Sequence, residues 1–257
     1  MKRIVTMQDI SCVGKCSLTV ALPILSVMGV ETAVIPTALL SAHSVFPDFT
    51  FRDLTEEILP IARHWNGQSL TFDAIYTGYL GSEQQIDIIA QAIDVVSGTE
   101  TLVFVDPAMA DQGRLYAGFH LDFARKMAEL CRRADIIDPN VTEACFLTDT
   151  PYKETYDEAY LDALLEKLGD LCAGTVVLTG VRRKSGETGV ISMTPGGERF
   201  SYFHETIPGQ FHGTGDIFSS VAVGGILRGL SLPNALCLAA DFTHDCIRRT
   251  EADPEKR

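Results

Sequence analysis

The sequence predicts an α/β protein built on a mostly parallel sheet with helices on both faces. Three observations predict it. Short apolar runs alternate with stretches at helical spacing along most of the 257 residues, the pattern of parallel strands joined by crossover helices. Several of those runs end in a polar residue, at Asp9, Tyr79, Asp106, Asp138 and Thr179, and in such sheets ligands bind outside the carboxyl ends of the strands. Near the C-terminus, Gly213-Thr214-Gly215-Asp216 leads into an apolar run through Ile217, Val221 and Leu227, a Gly-rich turn opening a helix.

The first strand is read at residues 4–7, ending at Gln8 and Asp9, followed by a turn around Gly14. Leu18, Leu22, Leu25 and Met28 then mark a helix stopped by Gly29, with Pro23 predicted to kink it. A second strand is read at 33–40, where Pro36 argues against a fully paired central position. Residues 41–50 read as a mobile loop. Asp53 and Glu56 have capping-box spacing at the start of a helix reaching about His64. Strands follow at 74–79, 101–106 and 136–138, separated by a helix that Ser82 caps and another over 121–132. Helices are predicted over 142–147 and 156–171, and a strand over 175–179. Residues 189–193 and 200–205 alternate like an antiparallel pair turning at Pro195-Gly196-Gly197. The Gly-rich turn and its helix come next, and a last helix starts near Pro233. No internal repeat or linker interrupts the pattern, so residues 1–257 are read as one domain.

Composition narrows the function. A hydrophobic content of 46% supplies a sizeable core. The balance of 21 basic against 34 acidic residues, a net charge of −13, argues against nucleic acid or an anionic membrane as partner. No apolar stretch approaches a membrane span, and the N-terminus carries no signal-like segment. Seven cysteines, odd in number and without CxxC spacing, read as reduced, core-facing thiols of a cytoplasmic protein.

The motifs carry more. A Gly-rich turn at a helix N-terminus gathers backbone N–H donors at the positive end of the helix dipole, which suits phosphate. Asp216 stands where that anion site meets the helix. It reads either as a helix cap or as a general base beside a phosphate under attack. Asn140 and Glu143, three apart at a helix start, read either as a capping pair or as a place for Mg2+ and substrate phosphates. Asp106 and Asp111 add charge nearby. Tyr79 either packs or stacks on an aromatic substrate. His43 and His212 fall in loops beside these segments, and no histidine has a partner at metal-ligand spacing. Gly14-Lys15-Cys16-Ser17 is not a P-loop, because Asp9 stands where the motif needs its first Gly and Cys16 where it needs a hydroxyl. No GxGxxG follows a strand, which disfavours a dinucleotide-dependent oxidoreductase.

Together these pieces resemble the ribokinase-like superfamily and, within it, the pyridoxal/pyridoxamine (vitamin B6) kinases. The resemblance spans essentially the whole chain. It rests on Met7-Gln8-Asp9, Ser41-Ala42-His43-Ser44, Thr77-Gly78-Tyr79-Leu80-Gly81, Asp106-Pro107, Asp138-Pro139-Asn140-Val141-Thr142-Glu143, Thr179-Gly180 and Gly213-Thr214-Gly215-Asp216. It implies a three-layer αβα sandwich, a homodimer, and an enzyme that uses ATP and Mg2+ with help from a monovalent cation such as K+. Carried over by position, Asp216 is the base for the 5′-hydroxymethyl group of a B6 vitamer, and Gly213, Thr214 and Gly215 form the anion hole. Asp9, His43, Ser44 and Tyr79 surround the pyridine ring. Asn140, Glu143, Thr179 and Gly180 meet ATP, with Asp106, Asp111 and Glu143 near the metal.

Departures from the family pattern matter too. Asp9 replaces a common serine, which favours a protonated ring nitrogen or an amine in the substrate. Ala42 replaces the usual Asn before His43, and the chain stops soon after Arg249, shorter than the family pattern leads one to expect. A hydroxymethylpyrimidine kinase of thiamin synthesis is the near alternative. A non-catalytic vitamer-binding protein is the alternative from another class, disfavoured by the intact Asp216 and the Asn140/Glu143 pair.

Overall fold

The computed structural model describes residues 1–43, 45–183 and 186–253. The chain opens with β1 (Arg3–Ser11), α1 (Leu18–Val27), β2 (Glu31–Leu40), β3 (Phe51–Asp53) and α2 (Thr55–Gly67). It continues through β4 (Ala74–Thr77), α3 (Glu83–Val96) and β5 (Leu102–Val105). A small hairpin, β6 (Ala110–Asp111) and β7 (Arg114–Leu115), precedes α4 (Leu121–Cys131), β8 (Ile136–Ile137), α5 (Val141–Leu147) and α6 (Glu158–Leu171). Then come β9 (Thr175–Arg183), β10 (Glu187–Met193), β11 (Arg199–Glu205), α7 (Thr214–Leu227) and α8 (Leu232–Ala252).

One nine-stranded sheet organises these elements, in the order β11-β10-β9-β8-β5-β4-β1-β2-β3. The six strands from β9 to β2 pair in parallel, and antiparallel strands close both edges. Along each inner strand, alternate residues enter two separate cores, as a period of two requires. Val5, Ile75, Val105, Ile137 and Leu178 pack with α2 to α6. Ile4, Tyr76, Phe104, Ile136 and Val177 pack with α1, α7 and α8. This is the αβα sandwich of the ribokinase-like fold. The chain passes from β1 outward to β2 and returns on the other side of β1 as β4, so the switch point lies at the carboxyl ends of β1 and β4.

The structure departs from the sequence reading in a few places. β1 does not end at Asp9 but runs on to Ser11, with its register to β2 shifting between Gln8 and Ile10. β3 and the β6–β7 hairpin are additions, each pair or triplet too short to show a period. β9 extends to Arg183 because it pairs antiparallel with β10 from Val176 through Arg183. Pro23 lies inside α1 without ending it. Pro36 has a strand on its β1 side only, since β3 reaches no further than Ala38, so its missing N–H costs no ladder bond there. At α2 the cap is one-sided, Asp53 Oδ1 accepting from the Thr55 N–H at 2.7 Å. Cys131, Cys145 and Cys172 are buried as expected, whereas Cys12 is exposed. Among the described residues, no helix is long and apolar enough to cross a membrane.

Candidate active site

Polar residues from six segments meet at the carboxyl edge of the sheet. Asp9, near the end of β1, is only 3% exposed, and its Oδ2 accepts from the Ser11 hydroxyl at 2.9 Å. Burial pushes its carboxyl above the usual range, opposed by the hydroxyls of Ser17 and Ser11. Asp9 lies close enough to Tyr79 and to Asp216 for its charge to act on both.

Asp216 sits in the first turn of α7, whose N-cap is Gly213 at φ 75°. That left-handed backbone and the close approach of another segment both call for glycine. A Cβ on Gly213 would overlap the Lys15 carbonyl oxygen. First-turn N–H groups lack helical partners, so Thr214, Gly215 and Asp216 present donors at the positive end of the dipole. Asp216 is half-buried. Burial raises its carboxyl from 3.8 to about 6; the Ser17 backbone N–H opposes the rise, and the charge of Asp9 adds to it.

Behind α7 lies a set of buried acids. Asp106 follows β5 and Asp138 follows β8, and they are 7% and 3% exposed. Burial first, and then the charges of neighbouring carboxylates, hold both well above the ordinary carboxylate range. The Ser219 hydroxyl touches Asp138 Oδ2 and also donates to the Gly215 carbonyl at 3.0 Å, tying α7 to the end of β8. Asn140 and Glu143 form a full capping box at α5, with Glu143 N–H to Asn140 Oδ1 at 3.0 Å and Asn140 N–H to Glu143 Oε2 at 2.8 Å. Glu143 Oε1 accepts from the Met109 N–H at 3.0 Å, and burial still lifts the carboxyl to about 7. Asp111 is exposed in β6, its Oδ1 accepting from the Gln112 N–H.

A bulge marks the next strand. Thr179 and Gly180 of β9 stand opposite the single residue Val190, and Gly180 takes φ 62°. Thr179 bridges Asn140, and its N–H bonds the Pro139 carbonyl at 2.9 Å. These residues thus share a ledge with the α5 N-terminus. On the opposite side of the crevice, Tyr79 stacks on Phe119 with centroids 5.6 Å apart. The His43 ring lies 5.5 Å from that of His212, joining the 41–50 loop to the approach to α7. Ser44 lies outside the described residues.

The structure therefore brings Asp9 within reach of both Tyr79 and Asp216, and sets Asn140, Thr179 and Gly180 together on the ledge. Asp111 stands exposed at the surface of the hairpin. Sequence reasoning did not single out Ser17, Phe119 or Ser219. Ser219 had a signal, three residues beyond Asp216 on one helix face, whereas nothing local marks Ser17 or Phe119. Among the described residues, no three His, Cys, Asp or Glu side chains converge as a metal cage.

Comparison with known proteins settles the lineage. The model of the phosphomethylpyrimidine kinase family matches residues 26–256. The chain belongs to that family. A Bacteroides thetaiotaomicron protein assigned to the phosphomethylpyrimidine kinases and crystallised with pyridoxal is 38% identical, with a TM-score of 0.94 over 99% of this chain and 90% of that one. Pyridoxal kinase from Lactobacillus plantarum is 32% identical, with a TM-score of 0.92 over 100% and 92%. Among curated relatives, pyridoxal kinase PdxY of Rubrobacter xylanophilus is 28% identical over 236 residues, 87% of this chain and 79% of that protein. The family and the ribokinase-like fold agree with what the sequence motifs resemble.

Proposed function

We propose that the protein is a single-domain, ATP-dependent kinase that phosphorylates the 5′-hydroxymethyl group of a vitamin B6 vitamer. The observation that carries this is Asp216: a carboxylate in the first turn of a helix whose N–H donors face the same crevice. With its carboxyl raised to about 6, it is mostly ionised at neutral pH yet basic enough to accept a proton. In the reaction, Asp216 takes the hydroxyl proton as the hydroxymethyl oxygen attacks the γ-phosphorus. The bond from that phosphorus to the bridging oxygen breaks, and ADP leaves. The N–H groups of Gly213, Thr214 and Gly215 stabilise charge on the transferring group, as fixed donors do in a dry site.

Asn140, Thr179 and Gly180 provide the ledge for ATP. For Mg2+, the buried carboxyls of Asp106 and Asp138 fit, since Asp138 Oδ1 is buried without a protein partner. Glu143 has both oxygens taken up by backbone N–H groups and would reach the ion through water. Bound there with the phosphates, the ion would neutralise developing charge. Asp9 gives the ring end of the crevice a buried acceptor, which favours pyridoxamine or a protonated pyridine nitrogen. The 38% identical protein crystallised with pyridoxal supports the vitamer class. Hydroxymethylpyrimidine is the second reading, favoured by the description of the family itself.

The test is ADP release from MgATP with pyridoxal, pyridoxamine, pyridoxine and hydroxymethylpyrimidine as acceptors. Turnover on a B6 vitamer supports the proposal. Turnover on the pyrimidine alone replaces the acceptor while keeping the chemistry, and turnover on none overturns the kinase reading.

A further inference from the structure

Ser17 is the N-cap of α1, yet its side chain makes no capping hydrogen bond. Serine at this place ordinarily turns its hydroxyl onto an N–H of the first helical turn. Here the backbone stands at φ 49° and ψ −134°, where side-chain-bearing residues are rarely found, and the residue is 5% exposed. Such a conformation persists only where the surroundings over-determine it.

The surroundings do so here. Gly14, at φ 117°, leaves its Cβ space to the His43 ring, while the Lys15 carbonyl fills the space beside Gly213. The 14–17 turn is thereby pinned between the 41–50 loop and the start of α7. Thr19 Oγ1 donates to the Cys16 carbonyl at 2.7 Å, and the Ser17 carbonyl accepts from the N–H groups of Val20 and Ala21, each at 3.0 Å. Cys16, next to Ser17, has its Cα 3.3 Å from where a Cβ on Gly213 would stand, so the turn abuts the start of α7. The Ser17 N–H lowers the Asp216 carboxyl, and the Ser17 hydroxyl lowers that of Asp9.

We propose that Ser17 is a positioning residue, its strained backbone holding an N–H against the Asp216 carboxylate while its hydroxyl steadies Asp9. The two carboxylates facing the substrate are thus fixed relative to one another by one residue. What Asp216 does chemically rests on the kinase reading; where Ser17 holds it does not. The other titratable groups that feel the charge of Asp216 or Asp9 are Cys16 from the turn, Tyr76 from β4, Tyr79 after β4, Tyr116 after β7, Asp106 after β5 and Asp138 after β8. Substitution at Ser17 leaves all of them in place.

Two variants of the full chain separate the backbone from the hydroxyl. Ser17→Ala keeps the N–H and the strain and removes only the hydroxyl. Ser17→Gly removes the hydroxyl and also relaxes the backbone, because glycine is at ease at positive φ. Three quantities are measured: Tm, kcat with MgATP and a B6 vitamer, and the titration of Asp216 by carboxyl 13C NMR, assigned with Asp216→Asn. Relative to Ser17→Ala, the Gly variant is expected to melt higher, to lose about tenfold in kcat through loosened geometry, and to titrate Asp216 at higher pH. A Gly variant that matches the Ala variant in kcat and titration overturns the proposal, as does one that melts no higher. If the wild type turns over no acceptor, the kinase reading falls, and Tm with the titration alone decides the role of Ser17.

Discussion

Replacing Asp216 by Asn should weaken catalysis and strengthen the fold at once. The carboxyl rises from 3.8 to about 6 on folding, chiefly through burial. A raised carboxylate binds protons more tightly in the folded state, so its ionisation destabilises the fold. Taken whole, the shift corresponds to a ceiling of roughly 3 kcal/mol at neutral pH. Because part of Asp216 faces solvent, about 1–2 kcal/mol is the better expectation. Asn has nearly the same shape, carries no charge, and keeps an oxygen for the Ser17 N–H. Its variant should therefore melt a few degrees higher at pH 7. That advantage is full above about pH 6 and fades as pH falls towards 3.8, where both states of the wild type become protonated. Meanwhile kcat should drop by a factor on the order of 10² to 10⁴, with the KM for ATP little changed. Calorimetry across pH 4–8 (roughly the span of the two protonation limits) and steady-state ADP release make the comparison. A variant with near-normal kcat, or one that melts lower than wild type at pH 7, would refute the reasoning.

Other expectations follow from the same geometry. Wild-type kcat should fall as pH drops through about 6, where Asp216 takes up a proton, and a pH–rate profile flat to pH 5 would exclude it as the base. Gly213→Ala puts a Cβ into the Lys15 carbonyl at a left-handed backbone, so it should cost at least about 1–2 kcal/mol from conformation alone and depress kcat; an unchanged melting curve counts against the interlock. Asn140→Ala removes half of the α5 capping box, a loss of about 1 kcal/mol, and should raise the KM for ATP while sparing that for the vitamer. For Asp9→Ser, the ratio of kcat/KM for pyridoxamine over pyridoxine should fall, and the same ratio in both proteins would deny Asp9 a part in selecting the substrate.

Much of this architecture was legible in the chain because a parallel sheet buried on both faces writes itself as apolar runs. Val103, Phe104 and Val105 show it, feeding two cores in turn. The strand ends were legible for a related reason: polar side chains such as Asp106 and Asp138 break a run where the sheet meets the crevice. The same cue misplaced the end of β1, since Gln8 and Asp9 are polar yet remain inside a strand that continues through Ile10. Short elements escaped because β3 has three residues, all exposed, and no period can be read from three. Contacts between distant segments escaped altogether. Nothing near Ser17 in sequence announces its backbone angle; the turn that carries it packs against His43 and against the first turn of α7, some two hundred residues away. Likewise the stacking of Phe119 on Tyr79 depends on where the β6–β7 hairpin returns the chain.

The central claim is that this protein moves the γ-phosphoryl group of ATP onto a hydroxymethyl oxygen. The most direct measurement is 31P NMR of the products formed from MgATP and pyridoxal or pyridoxamine. The account predicts ADP together with a new phosphomonoester resonance coupled to the 5′-methylene protons, growing on the order of a hundredfold or more slowly with Asp216→Asn. Inorganic phosphate as the sole new phosphorus product beside ADP would contradict it.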